Sequence, residues 1–268
     1  MEHASAGGRA ELATGVTLAW SATGPSAGTP VVMLHGWAES RGVFSRLVSL
    51  LPPNVRTVAP DLRGHGEADK PPHGYALADC AGDVVALLDA LGLPEAVLLG
   101  SSSGGYVAQQ VAIEHPGRVA GLVLVGSPRS LQGRAPFADE IDRLRDPVDP
   151  AWVRKSLGWF PTVRPLPARY LEDRVRDGTR MPAAVWRRTL EGLTTAPPPT
   201  EAGTITAPAL LLWGECDNVL TRDEQLSLAA AMPGSRSVVY EDTGHLVLWA
   251  RPERVAADVV AFLDELGR

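Results

Sequence analysis

The chain has little cysteine. Two residues of that type, Cys80 and Cys216, stand far apart in a sequence of 268, which excludes a disulfide framework and any closely spaced cysteine metal pattern. No run reaches the ~18 consecutive apolar residues that would span a bilayer. From Met1 to Thr14 no basic segment precedes an apolar stretch, so no secretory signal is expected and a cytoplasmic location is the default. Basic charge is not in excess either. Lys and Arg total 25 against 31 Asp and Glu, a net charge of -6, which disfavours nucleic acid or an anionic membrane surface as the primary partner. Internal repeats and low-complexity tails are absent, and nothing in the residues specifies an oligomeric state.

What is present is an ordinary globular composition, 45% hydrophobic and 21% charged, in a length that suits one large domain or one domain with an insertion. From Val31 to Val125 short apolar runs alternate with longer amphipathic ones. Val31 to Leu34, Val55 to Ala59, Ala96 to Leu99 and Val119 to Val125 read as strands. Val43 to Leu51, Leu77 to Leu91 and Gly104 to His115 read as helices, the second closed by Gly92. Strands without polar alternation, each followed by a helix, imply a parallel sheet covered on both faces. After Ser127 the rhythm stops. From Pro128 to about Thr204 there are helix-like pieces (Asp139 to Leu144, Trp152 to Leu157, Ala168 to Arg176, Ala183 to Leu193) and no convincing strand. It then resumes with strands at Ala209 to Trp213 and Ser237 to Tyr240 and helices over Asp223 to Met232 and Glu253 to Leu266. The expected organisation is a core over residues 1–127 and 205–268, with a helical cap over residues 128–204. So long a structureless loop would be improbable in a compact domain.

One motif carries the chemistry. Leu98-Leu99 runs into Gly100-Ser101-Ser102-Ser103-Gly104-Gly105, a strand that turns sharply into a helix with Ser102 at the apex. An apex residue there takes a strained backbone, and side chains at Gly100 or Gly104 would collide with the neighbouring strand and helix. A serine hydroxyl needs a base in hydrogen-bond reach, and the base needs an orienting group. Of six histidines, His245 follows a strand in Thr243-Gly244-His245 and precedes the last helix. His115 reads as a helix-end residue, and His3 lies in the N-terminal stretch. For the acid, Asp217 follows the strand Ala209 to Trp213 on a loop at the same sheet edge, where active sites of open parallel sheets assemble. Glu215 is a rival two positions away. The order Ser102, Asp217, His245 is that of hydrolases built on such an elbow. An oxyanion hole needs two backbone N–H groups, which Ser103, at a helix start, and Trp37, in His35-Gly36-Trp37 after the first core strand, are placed to supply. His35 reads as a structural residue of that loop.

These segments, with Asp61-Leu62-Arg63-Gly64-His65-Gly66, resemble the α/β-hydrolase fold superfamily over nearly the whole chain, from about Val16 to Leu266. The resemblance implies an α/β-hydrolase fold, a mostly parallel central sheet with helices on both faces and a helical cap inserted after the sixth strand. In lid-bearing members the Asp61 to Gly66 stretch shapes a loop beside the site, so His65 is given no catalytic role. Serine at the elbow, where dehalogenases and epoxide hydrolases carry aspartate, suits attack on an acyl carbonyl. The absence of Gly-Pro-Gly after His35-Gly36 sets aside proline iminopeptidases and ring-cleavage hydrolases. What remains resembles serine esterases and lactonases acting on a small-molecule ester or lactone, with no metal or organic cofactor implied. Cofactor-free haloperoxidases or perhydrolases form an alternative. Many of these have an aromatic residue where Trp37 stands, but Pro at the position of Ala38. A hydrolase-fold small-molecule receptor with little turnover is another. The aromatic load of the cap (Trp152, Trp159, Phe160, Tyr170, Trp186) fits either a pocket wall or packing of cap on core. Ser127, Trp159 and Trp186 are the pocket candidates.

Overall fold

The computed structural model describes residues 5–267, so His3 lies outside the described residues. An eight-stranded sheet runs in the order β1-β2-β4-β3-β5-β6-β7-β8. The strands are β1 (Ser5–Glu11), β2 (Thr17–Thr23), β3 (Val31–Leu34), β4 (Thr57–Pro60), β5 (Ala96–Ser101), β6 (Val119–Val125), β7 (Ala209–Gly214) and β8 (Ser235–Tyr240). From β4 to β8 every pairing is parallel. The first two strands form a hairpin that joins β4 antiparallel. That hairpin is invisible in the sequence because β1 is the edge strand and reads Ser-Ala-Gly-Gly-Arg-Ala-Glu, with no apolar alternation to mark it.

Both faces of the sheet are covered, which is why its strands read as unbroken apolar runs. Val32, Leu34 and Leu98 pack with residues of α2 (Leu77–Ala90) and α3 (Ser103–Glu114). The alternate residues Val31, Met33, Val97 and Leu99 pack with Val255, Val259 and Phe262 of the last helix on the other face. The helix expected from Val43 to Leu51 is shorter. A single 3₁₀ turn over Arg41–Phe44, capped by the Ser40 side chain, leads into the one-turn α1 (Ser45–Val48). Pro52-Pro53 leaves it no room to continue.

Between β6 and β7 lie α4 (Ala138–Asp142), α5 (Pro150–Ser156), α6 (Ala168–Thr179), α7 (Ala183–Thr195) and α8 (Pro199–Ala202), with no strand among the described residues. After β7 come α9 (Arg222–Ala231), α10 (Val247–Ala250) and α11 (Pro252–Glu265). The inserted helices are tied to the core by a closed ring of aromatic contacts. Trp37 stacks on Phe137, Phe137 on Trp159, Trp159 meets Trp152 edge-on, Trp152 meets Trp186, and Trp186 returns to Trp37. Among the described residues, no helix is long and apolar enough to cross a membrane.

Candidate active site

The elbow has the strain expected of it. Ser102 sits at φ 50 and ψ -124 between β5 and α3, a left-handed conformation costly for a side-chain-bearing residue. The glycines make it feasible. A Cβ on Gly100 would lie 2.4 Å from the Gly105 backbone, and one on Gly104 would lie 2.1 Å from the Leu34 carbonyl oxygen. The expected collisions are therefore with α3 in the first case and with the end of β3 in the second.

Three side chains from three carboxyl-edge loops converge here. His245 Nε2 is 3.1 Å from Ser102 Oγ, and His245 Nδ1 is 2.8 Å from Asp217 Oδ2. A carboxylate only accepts, so Nδ1 carries the proton and Nε2 presents its lone pair to the serine hydroxyl. Asp217 is buried, and its other oxygen accepts the Val219 and Leu220 N–H groups at 2.9 and 3.0 Å. Glu215 is exposed, so burial separates the two rival acids. Gly214 lets the loops meet, since a Cβ there would lie 2.4 Å from the carbonyl oxygens of Thr243 and Gly244.

The loop after β3 faces the serine. A Cβ on Gly36 would be 3.3 Å from Ser102 Cβ. The Gly36 carbonyl accepts from His35 Nδ1 at 2.8 Å and from Glu39 N–H at 3.2 Å. Leu62 N–H donates to His35 Nε2 at 2.9 Å, which fixes the tautomer that keeps Nδ1 a donor. In a planar trans peptide the N–H points opposite the carbonyl, so these bonds aim Trp37 N–H away from His35 and Glu39. Neither Trp37 N–H nor Ser103 N–H finds an acceptor among the described residues. Burial lowers the pKa of His35 to about 4, keeping it neutral. His65 packs edge-on against it, and burial first and then His35 lower its pKa to about 3.

Two cavities, each of about 270 Å³, meet at Ser102 and share Trp37, Phe160 and His245. One runs under α5 and α6 past Val153, Leu157 and Tyr170. The other runs past Leu131, Phe137, Leu193 and Leu220. Phe160, named among the aromatics of residues 128–204 but not among the pocket candidates, stacks on the His245 ring at 5.5 Å. Trp159 and Trp186 line the first cavity, while also belonging to the aromatic ring. Ser127, expected at a pocket wall, is instead buried behind the elbow. Its Oγ donates to the Gly100 carbonyl at 3.2 Å and fills the space a Cβ on Gly105 would need. Of the remaining histidines, His115 closes α3 and His73 is exposed. Among the described residues no group of three His, Cys, Asp or Glu could hold a metal ion.

A sequence model of the alpha/beta hydrolase family matches residues 31–258. The chain belongs to that family. A non-heme chloroperoxidase of Streptomyces lividans is 40% identical over 122 residues, 45% of this chain and 44% of that protein. A pimeloyl-[acyl-carrier protein] methyl ester esterase of Yersinia pseudotuberculosis is 28% identical over 248 residues, 88% of this chain and 93% of that enzyme. An esterase from Exiguobacterium antarcticum superposes with a TM-score of 0.83 at 24% identity, covering 97% of this hydrolase and 100% of that chain. The hydrolase thus has the α/β-hydrolase fold, a mostly parallel eight-stranded sheet with helices on both faces.

Proposed function

We propose that this hydrolase cleaves carboxylic esters through an acyl-enzyme on Ser102. The observation that carries the reading is the relay Ser102–His245–Asp217, with contacts of 3.1 and 2.8 Å at a positive-φ elbow. His245 Nε2 takes the Ser102 proton as Oγ attacks the carbonyl carbon. Asp217 holds the resulting imidazolium. Trp37 and Ser103 N–H groups stabilise the oxyanion, worth about 3–4 kcal/mol per donor in comparable sites. His245 then returns its proton to the leaving alkoxide and activates the water that releases the acid. Residues 128–204 act as the cap, with Phe160 excluding water above His245 and Trp159 and Trp186 shaping the pocket.

The paired cavities support an open-chain ester with a substantial apolar group on each side of the carbonyl, in preference to a small lactone, whose two arms are tied into one ring. Neither the substrate nor its cavity requires a metal or organic cofactor in this scheme. The test is a panel of chromogenic esters and lactones graded separately in acyl and alcohol size, beside a phosphonate probe. Ser102→Ala is expected to lose phosphonate labelling and to lower kcat by about 10⁴-fold or more. Full turnover in that variant would end the assignment. Labelling of Ser102 with no turnover of any panel member would instead support a receptor.

The identity with the chloroperoxidase over 122 residues favours a second reading, in which peroxide replaces water on the acyl-enzyme and a peroxyacid leaves. The measured ratio of perhydrolysis to hydrolysis decides between the two.

A further inference from the structure

The loop that carries the Trp37 N–H is held from the cap as well as from the core. Arg174, on α6, is buried at 7% exposure and its Nη2 donates to the Ala38 carbonyl oxygen, 136 residues away in the chain. Ala38 sits at φ 56, a conformation unfavourable for a non-glycine residue and one that proline, locked near −65°, could not adopt. The adjacent residues are tied to the same group. Arg174 Nε lies 3.6 Å from Glu39 Oε1, and Glu39 Oε2 accepts the Gly36 N–H at 2.9 Å. Ser40 Oγ donates to Asp177 Oδ2 at 2.7 Å, and that carboxylate lies 3.7 Å from Arg174 Nη1. Gly36, Ala38, Glu39 and Ser40 are thus all anchored around Arg174, and Trp37 between them is left with its backbone N–H unengaged.

A guanidinium buried with so few hydrogen bonds carries a desolvation cost that its contacts must offset. Its Nη1 has no hydrogen-bond partner, so the group is not there to complete a saturated structural network. It is also poorly suited to hold an anionic substrate. Glu39 and Asp177 flank it within 4 Å, and a carboxylate on the substrate would face both. What it does do is fix one carbonyl at the strained corner of the loop.

We infer that Arg174 is a positioning residue for the oxyanion hole: from the cap it clamps the Ala38 peptide and, through Glu39, the Gly36 peptide, so that Trp37 N–H faces Ser102 only while α6 is seated. The inference rests on the ester-hydrolase reading of the site. It makes the cap part of the machinery that stabilises the transition state, in addition to its role as a pocket wall.

The test compares wild type, Arg174→Met, Arg174→Lys and the double variant Arg174→Met/Asp177→Asn on a panel ester and on a trifluoromethyl ketone, whose adduct with Ser102 carries an oxyanion. Burial raises the Asp177 pKa, while the Ser40 hydrogen bond and Arg174 oppose that shift. The double variant removes one charge of each sign and decides the matter should Arg174→Met fail to fold. The expected result is a fall in kcat of about 10–100-fold, with KM within about twofold and ketone affinity weakened by the same factor as kcat. Arg174→Lys keeps a donor for the Ala38 carbonyl and recovers part of both. A variant that melts earlier yet keeps wild-type kcat and ketone affinity would overturn the inference. Failure of the ester-hydrolase reading looks different, because wild type itself would then neither turn over the ester nor bind the ketone.

Discussion

Glycine 104 shows how much a single position carries. Its α-carbon passes so close to β3 that an added methyl would sit 2.1 Å from the Leu34 carbonyl oxygen, and the obstacle is backbone, which cannot rotate aside. Gly104→Ala is expected to cost about 3 kcal/mol and to displace Ser102, read as a lower denaturant midpoint and as loss of phosphonate labelling in whatever protein still folds. This requirement was legible from the spacing of Gly100, Ser102 and Gly104 alone. Asp217 was read as the acid from its loop and the chain order, with Glu215 two positions away left as a rival. Burial, the contact with His245 and the two backbone N–H groups that Asp217 accepts favour Asp217 over the exposed Glu215. Ser127 was misjudged. Its place just after β6 puts it near the site, but its hydroxyl turns inward against Gly100 and Gly105.

At the scale of elements, the helices between β6 and β7 have a precise seat. α7 crosses the Tyr75 loop at Gly192, where a Cβ would lie 1.7 Å from the Tyr75 carbonyl oxygen. The same helix carries Thr189, which accepts from Trp37 Nε1 at 2.9 Å, and Trp186, which donates to the Gly178 carbonyl of α6 at 3.0 Å. Gly192→Ala should lift α7 and with it the indole of Trp37. A cost of about 1–3 kcal/mol corresponds to a Tm lower by about 3–10 °C, and kcat should fall with it, measured by calorimetry and ester turnover on one preparation. Helical periodicity located α4 to α7 to within a few residues and missed the one-turn α8. It was silent on their contacts, since an amphipathic stripe says that a face is buried and not what buries it. The two roles offered for the aromatics of residues 128–204 are compatible for Trp159 and Trp186, which belong to the ring of aromatic contacts and also line the cavity beside Ser102.

For the molecule as a whole, the buried pair His35 and His65 sets a pH dependence. Unfolded, each takes a proton near pH 6.5. Folded, burial holds them neutral until about pH 4 and about pH 3. A depressed folded pKa gives stability that is complete above pH 6.5 and is lost as pH falls toward the folded values. Each histidine contributes a slope of up to about 1.4 kcal/mol per pH unit. Between pH 7.5 and 5 the pair should remove about 4 kcal/mol, measured by urea unfolding, and His65→Gln should roughly halve that difference. An unchanged difference in the variant would show that His65 titrates normally in the folded protein.

The sequence by itself determined the sheet rhythm, the elbow and the order of Ser102, Asp217 and His245, because strand burial on both faces, glycine sterics and chain order all leave local marks in the residue string. Tertiary structure alone decided where Ser127 points and that Arg174 of α6 reaches the carbonyl of Ala38. Those are contacts between residues far apart in the chain, set by how the inserted helices seat on the sheet edge, and no local pattern encodes that seating.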